Sequence, residues 1–363
     1  MDTTEPNITF DENGICNHCK TYFVKEKSYL RPRDELKRLV DKIKRRRKSE
    51  EYDCLLGISG GTDSSYAAYL AEKLGLRVLL LHVDNGWNTE AAEHNVGAIV
   101  ENTGFDFLRF RVDEEELHDL QRAYLKASVM NVEVVTDHAS WAAVYRTASK
   151  NGIEYVLSGS NFVTEGILPR SWSYRHSDLT NLKNIHKRFG QVRLKHFPQL
   201  GVFDLAFHRS LKRIRFIFPL NYVDYNRAGS KSILSKEWGW KDYGLKHYEC
   251  RCTKFFQAYI LPAKFGVDKR KAHFSSLICS GQITRDEAVK LLQRPLYTEE
   301  EYLEDREFYL NKLGLSDEEF DELMKLPVRR HEEYGTDQWL HHPLRFLGHT
   351  KRKVLSLVTK LIG

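Results

Sequence analysis

Leu55-Leu56-Gly57-Ile58-Ser59-Gly60-Gly61-Thr62-Asp63-Ser64-Ser65 is the stretch on which the fold turns. Its apolar start reads as a buried strand over residues 53–58, Ser59-Gly60-Gly61 as a turn, and residues 64–74 as a helix closed by Gly75. A strand that ends in a glycine turn and opens a helix presents backbone N–H groups and a helix N-terminus to an anion. Gly60 and Gly61 allow close backbone approach and positive φ. Ser59, Thr62, Ser64 and Ser65 add hydroxyl donors. Asp63 is out of place beside a phosphate unless it serves a divalent cation or caps the helix. The run lacks the Gly-Lys-Ser/Thr of a Walker loop and the Gly-x-Gly-x-x-Gly of a dinucleotide turn.

Outward from this loop, short apolar runs alternate with amphipathic ones. Strands are predicted at 77–83, 107–112 and 155–158, and helices at 89–102, 114–128 and 139–151. Such alternation predicts an α/β fold with a parallel sheet covered on both faces. Ligands of such sheets bind at the carboxyl ends of the strands. Asp84 and Asn85 end one strand there, and Ser158-Gly159-Ser160-Asn161 ends another. Beyond Val163 the periodicity weakens. Residues 171–226 read as helices and loops that elaborate the site, 248–264 and 284–292 as helical, and 299–326 as two helices broken at Gly314. Four segments result: 1–50 with a Cys-x-x-Cys and a basic helix, 51–165 as the nucleotide core, 166–295 as a substrate-binding helical extension, and 296–363 as a helical tail.

The chain has 363 residues, 41% apolar and 29% charged, which excludes a disordered, collagen-like or disulfide-stapled class. No apolar run approaches the roughly 18 residues of a membrane span. Residues 1–5 carry no leader pattern, and six cysteines are too few for a disulfide framework, so a cytoplasmic protein with reduced thiols or a metal is expected. The net charge is +6. Residues 25–48 hold twelve Lys or Arg against four Asp or Glu, a local +8 on a body close to neutral. Leu36, Leu39, Val40 and Ile43 give that segment one apolar stripe. It reads first as a solvated connector and second as a docking face. A basic stretch at 350–363 reads as a C-terminal helix packed on the domain. This distribution argues against a nucleic-acid-binding surface.

The loop resembles the PP-loop, Ser-Gly-Gly-x-Asp-Ser, of the ATP pyrophosphatase superfamily, whose members cleave ATP to AMP and pyrophosphate and adenylate a substrate oxygen. Flanking runs narrow the resemblance. They are Pro6-Asn7-Ile8-Thr9-Phe10-Asp11-Glu12-Asn13-Gly14-Ile15-Cys16-Asn17-His18-Cys19, Val135-Thr136-Asp137-His138-Ala139, Thr164-Glu165-Gly166-Ile167-Leu168-Pro169-Arg170-Ser171-Trp172, Phe265-Gly266-Val267-Asp268-Lys269-Arg270-Lys271-Ala272-His273 and Ser280-Gly281-Gln282-Ile283-Thr284-Arg285-Asp286-Glu287-Ala288. Together they resemble the N-acetyl sugar amidotransferase family of surface-polysaccharide biosynthesis (WbpG/PseA-like), from about residue 2 to 296.

The resemblance implies that an N-acetyl group on a nucleotide-linked sugar is adenylated by ATP and converted by ammonia to an acetamidino group. Ser59, Gly60, Gly61, Thr62, Asp63, Ser64 and Ser65 would then hold pyrophosphate and magnesium, and Asp84, Asn85 and Gly159 the nucleoside side. Thr136, Asp137 and His138 would orient substrate or ammonia. Asn161, Thr164, Glu165 and Trp172 would meet the sugar, with Glu165 also a catalytic candidate. Lys269, Arg270 and His273 would neutralise phosphate, with a solvated turn as the plain alternative.

Position 2 is Asp, and no Gly-x-Cys-x-Gly elbow of a glutaminase is present. The family's ammonia source is a separate glutaminase with a cyclase-like channel subunit, similar to imidazole glycerol phosphate synthase. Cys16-x-x-Cys19 and Cys250-Arg251-Cys252 make a four-thiolate zinc site arithmetically possible, with Cys16 and Cys19 first; buried free thiols are the alternative. Cys54 reads as core. The competing function is a PP-loop tRNA-thiolating enzyme.

Overall fold

The computed structural model describes residues 1–340. Five parallel strands form one sheet: β1 (Cys54–Gly57), β2 (Val78–Asp84), β3 (Asp106–Arg111), β4 (Tyr155–Leu157) and β5 (Arg215–Ile217), in the order β3-β2-β1-β4-β5. Because side chains alternate across a strand, each apolar run feeds two cores. Leu55, Leu79, Leu81 and Val156 enter one; Leu56, Val78, Leu80 and Leu157 enter the other. Helix α1 (Asn17–Tyr29) precedes α2 (Arg33–Arg46), and α3 (Thr62–Lys73) and α4 (Glu90–Thr103) follow β1 and β2. Ala67, Ala68, Val96 and Ile99 of α3 and α4 close the second core. Helix α5 (Glu114–Ala127) follows β3, and α6 (Val134–Lys150) closes the first core with Ala142, Tyr145 and Ala148.

Strand β1 lies between β2 and β4, so the connections leave it in opposite directions. That opens a crevice beyond its carboxyl end. The Ser59-Gly60-Gly61 loop follows β1 and Ser158-Gly159 follows β4, so both predicted turns flank this point.

The first four strands agree with the sequence reading to within a residue or two. Strand β5 is the exception, since it lies in the 171–226 stretch read as helices and loops. Three residues, one of them an exposed arginine, offer no alternation to read. The +8 segment behaves as a connector. Leu36, Val40 and Ile43 of α2 are buried against the sheet helices, Lys44 donates to the Leu74 carbonyl at 2.7 Å, and Arg47 donates to the carbonyls of Tyr52 and Gly152.

The C-terminal layer packs on α5 through Trp87, Tyr124, Phe255, Tyr309 and Phe320. Its helices Glu299–Leu313 and Asp317–Lys325 part at Gly314, φ +60°, as expected, and each opens on a capping box. The helical run predicted at 248–264 is helical from Arg251 to Phe265, with one π-turn at Phe256–Ile260. The N-terminal segment is tied to this layer: the Met1 ammonium donates to Ser275 Oγ at 2.8 Å and Lys271 pairs with Asp2 at 2.7 Å. No described helix is long and apolar enough to cross a membrane. The basic stretch at 350–363 lies outside the described residues.

Candidate active site

The loop forms because its glycines face crowded backbone. Gly60 has φ +76°, and a Cβ on it would stand 2.4 Å from the Ala92 carbonyl oxygen of α4. The Gly61 carbonyl accepts from Ser64 Oγ at 3.1 Å and from Ser65 Oγ at 2.8 Å, which pins the first turn of α3. Gly159 rests on that same turn; a Cβ there would lie 2.6 Å from the Ser64 nitrogen. The result is an anion cradle at a helix N-terminus, formed where glycines let backbone come close.

Residues far along the chain wrap the cradle. Trp240 Nε1 donates to the Gly60 carbonyl at 3.2 Å, and Asn95 Nδ2 donates to the same oxygen at 3.0 Å. The Thr62 N–H donates to the Tyr243 hydroxyl at 2.9 Å. Lys246, only 8% exposed, donates to Asp63 Oδ2 at 2.6 Å and Thr164 Oγ1 at 2.9 Å, and pairs with Glu165 at 2.8 Å. The Tyr225 hydroxyl donates to the other oxygen of Asp63. Burial acts to raise the Asp63 carboxyl, but the Lys246 ammonium and the Tyr225 hydroxyl more than offset it and hold it low. Asp63 is thus an ionised anchor for Lys246. Each of its oxygens accepts one of these hydrogen bonds, which leaves one lone pair on each.

Glu249 sits on the cradle, with Oε1 3.5 Å from Ser59 Oγ and Oε2 buried without a partner. Burial raises its carboxyl from 4.5 to about 7; the Asp63 charge adds to this, and Lys246 and Arg227 oppose it. A carboxyl raised in the folded state binds its proton where the unfolded chain has lost it. Stability from this group is therefore present below about pH 4.5 and is lost as pH rises towards 7. Glu249→Gln is expected to flatten the fall of melting temperature between pH 5 and 7.5. A wild-type melting profile that the substitution leaves unaltered would refute the assignment.

Beside the loop lies a cleft of about 340 Å³ whose walls include Ser59, Gly61, Thr62, Asp63 and Ser64. Of the other predicted residues, Asn85, Thr136, Asp137, Gly159, Glu165 and Cys250 also line it. Asp137 lines the cleft and is exposed to its water. Neighbouring protein atoms and the Glu133 charge, opposed by Lys269, act to raise its carboxyl.

Other predicted residues serve the fold. Asp84 pairs with Arg109 at 3.1 Å. Ser65 is buried and, besides Gly61, meets Trp240 Nε1 at 3.1 Å. Both ring nitrogens of His138 are taken by backbone, the His176 carbonyl at 2.7 Å and the Leu200 N–H at 3.0 Å, and burial lowers its pKa to about 4. It is a neutral packing residue, not an acid or base of the cleft. Trp172 is buried in the helical core. Asn161 caps the short helix Phe162–Glu165 by accepting from the Thr164 N–H at 2.9 Å.

Thr164, Lys269, Arg270 and His273 line a smaller cavity beyond Lys246. There Lys269 pairs with Glu133 at 3.1 Å and Arg270 with Asp268 at 2.8 Å.

The expected four-thiolate zinc site is not formed. Cys16 donates to Cys19 at 3.4 Å, and Cys19 hydrogen-bonds Cys279. Cys250 opens on the cleft, its thiol pushed up to about 11 by burial, while Cys252 accepts from Gln121 at 3.3 Å in the core. Among the described residues no three His, Cys, Asp or Glu are arranged to hold a metal ion. Cys54 is core, as read.

Sequence reasoning missed Lys246, Glu249, Tyr225, Tyr243 and Arg227. The run Lys246-His247-Tyr248-Glu249-Cys250 is dense in titratable side chains, and that density is the one local signal it carries.

Residues 249–345 match the family model for LPS biosynthesis protein WbpG-like, C-terminal domain. Over 136 residues the chain is 27% identical to a tRNA(Ile)-lysidine synthase of Chlamydia pneumoniae, a match covering 37% of this chain and 40% of that protein. The chain therefore spans well under half the length of that curated relative. Among solved structures, an NH3-dependent NAD synthetase from Campylobacter jejuni aligns at 15% identity over 59% of this chain and 99% of its own, TM-score 0.30. An NMN synthetase from Francisella tularensis aligns at 16% identity over 86% and 98%, TM-score 0.27.

Proposed function

We propose that this chain, a PP-loop ATP pyrophosphatase-type protein joined to a WbpG-like C-terminal domain, is an ATP-dependent ligase that amidinates the N-acetyl group of a nucleotide-linked sugar. The coarser statement, an ATP-using enzyme related to lipopolysaccharide biosynthesis, rests on the family match and the loop. The observation that carries the finer reading is positional. The WbpG-like segment begins at Glu249, whose carboxylate lies against the PP-loop, so the part typical of that family forms a wall of the nucleotide cleft.

The amide oxygen of the sugar attacks the α-phosphate of ATP and pyrophosphate leaves. Ammonia then adds to the activated carbon, a proton is lost, and AMP departs with the former amide oxygen. The protein's part is positioning and charge stabilisation. Backbone N–H groups of the loop with Ser59 and Ser64 hold the phosphates, and Lys246 supplies a fixed positive charge beside them. Asp137, which lines the cleft with its carboxyl raised above the usual range, takes the proton that ammonia loses. Glu249 Oε2 is the unpartnered carboxylate oxygen at the loop and the group that would meet a magnesium ion brought by ATP. Ammonia would come from a separate glutaminase with a cyclase-like channel subunit.

The test is AMP release by the purified chain with ammonium and UDP- or CMP-linked acetamido sugars. Formation of AMP and an amidine only with sugar and ammonium together is the expected result. The match to a tRNA(Ile)-lysidine synthase favours a second reading, an RNA substrate. AMP release stimulated by tRNA and not by any sugar would establish it and overturn the first.

A further inference from the structure

Beyond Lys246, away from the PP-loop, lies a cavity of about 40 Å³ that shares only that lysine with the nucleotide cleft. Three buried donors there lack an acceptor: Nε and Nη2 of Arg227 and the hydroxyl of Tyr248. Nε and Nη2 are the two parallel donors on one edge of a guanidinium that take an oxyanion side-on. Leaving them buried and empty costs free energy that a ligand would recover.

The charge around them is paired except at Arg227. Arg227, Lys246, Lys269 and Arg270 line the cavity against one lining carboxylate, Asp268, which Arg270 already grips at 2.8 Å. Lys269 is held by Glu133 and Lys246 by Asp63 and Glu165, so Arg227 is the cation facing the space without a carboxylate partner. Leu245, Phe274, Leu277 and Leu296 make one side of the wall apolar, and Thr164, Gln257 and His273 complete the lining. The volume holds a few water-sized groups, enough for one tetrahedral head and too little for a nucleoside.

We infer that this cavity is a second oxyanion site, distinct from the PP-loop, that takes a single phosphate-class group on the Arg227 fork and the Tyr248 hydroxyl. Three donors, two on the fork and one on the hydroxyl, outnumber the two oxygens of a carboxylate and suit a phosphate. The inference does not depend on which substrate is amidinated or on whether amidination occurs.

The full chain is first saturated with α,β-methylene-ATP, which fills the PP-loop without turnover. Binding of labelled inorganic phosphate is then measured by equilibrium dialysis, with acetate as competitor. One phosphate per chain with the loop filled, resistant to equal acetate, is the expected result. Tyr248→Phe should weaken phosphate binding about threefold while leaving affinity for the ATP analogue unchanged. Arg227→Gln should weaken it by about tenfold or more. Arg227→Lys keeps the charge but not the fork and should lose nearly as much, and it decides the matter if Arg227→Gln does not fold. No phosphate bound once the analogue is present would show that phosphate reaches the PP-loop only. Equal binding by Tyr248→Phe and Arg227→Lys would equally overturn the inference.

Discussion

Lys246→Met is expected to reduce ATP-dependent AMP formation by about a thousandfold, the largest single-residue effect in the cleft. The substitution keeps much of the volume and removes the charge. Lys246 lies within 2.9 Å of Asp63, Glu165 and Thr164, and it is nearly enclosed. Without it two carboxylates remain at the loop with no cation between them, and both repel an incoming triphosphate. Breaking a buried pair by removing one partner typically costs about 3–5 kcal/mol, so a lower melting temperature accompanies the lost activity. The two effects separate in a second variant. Asp63→Asn with Lys246 intact removes the anchor but keeps the ammonium, and should retain ATP binding while losing alignment. Equilibrium ATP binding measured beside AMP release reads the difference. Wild-type turnover in a folded Lys246→Met protein would eliminate the proposed charge role.

Much of the core was legible because its signals are local. Strand β1, the Ser-Gly-Gly turn and α3 occupy about twenty consecutive residues, and each boundary carries its own chemistry. Leu55 and Leu56 show an apolar run, Gly60 a positive φ and Gly75 a helix stop. The rest of the cleft is assembled over long separations. Tyr225, Tyr243, Lys246 and Glu249 reach Asp63, Thr62 and Ser59 across more than 150 residues, and nothing in their neighbours announces that destination. The opposite error has the same origin. His138 adjoins Asp137 in sequence and looks equally chemical, yet successive positions on a helix point about 100° apart. Asp137 therefore enters the cleft while His138 turns into the core and meets two backbone groups. The cysteine pairs misled similarly, since spacing alone placed two pairs on one metal. The fold instead sets Cys19 beside Cys279 and sends Cys252 towards Gln121.

Gly60, Gly61 and Gly159 are expected to respond differently to alanine, and Gly159→Ala carries the second large effect. At Gly60 both faults combine. A positive φ of +76° costs about 1–2 kcal/mol for an alanine, and the new methyl would meet the Ala92 carbonyl, a backbone atom that moves only if α4 moves. Gly60→Ala should therefore lower stability and activity together, which makes it a poor probe of the site. At Gly61 the nearest obstacle is the carboxylate tip of Glu249 at 2.6 Å, a flexible end that can rotate aside, so stability should change by less than about 1 kcal/mol. Gly159 does not need positive φ, so an alanine there is not strained in itself. Its methyl would stand 2.6 Å from the Ser64 nitrogen and 2.7 Å from the Asp63 carbonyl carbon, on the turn whose N–H groups face the phosphates. The segment after β4 must lift off the end of α3, and the cradle loses its floor while both cores stay packed. The expected result is a loss in ATP affinity of about a hundredfold, near 2.7 kcal/mol, with a melting temperature only a few degrees lower. Calorimetric titration of ATP into Gly159→Ala and Gly61→Ala, each with its own melt, makes the comparison. Equal ATP affinity in the two variants would mean that the cradle does not rest on Gly159, and that the phosphates bind elsewhere in the cleft.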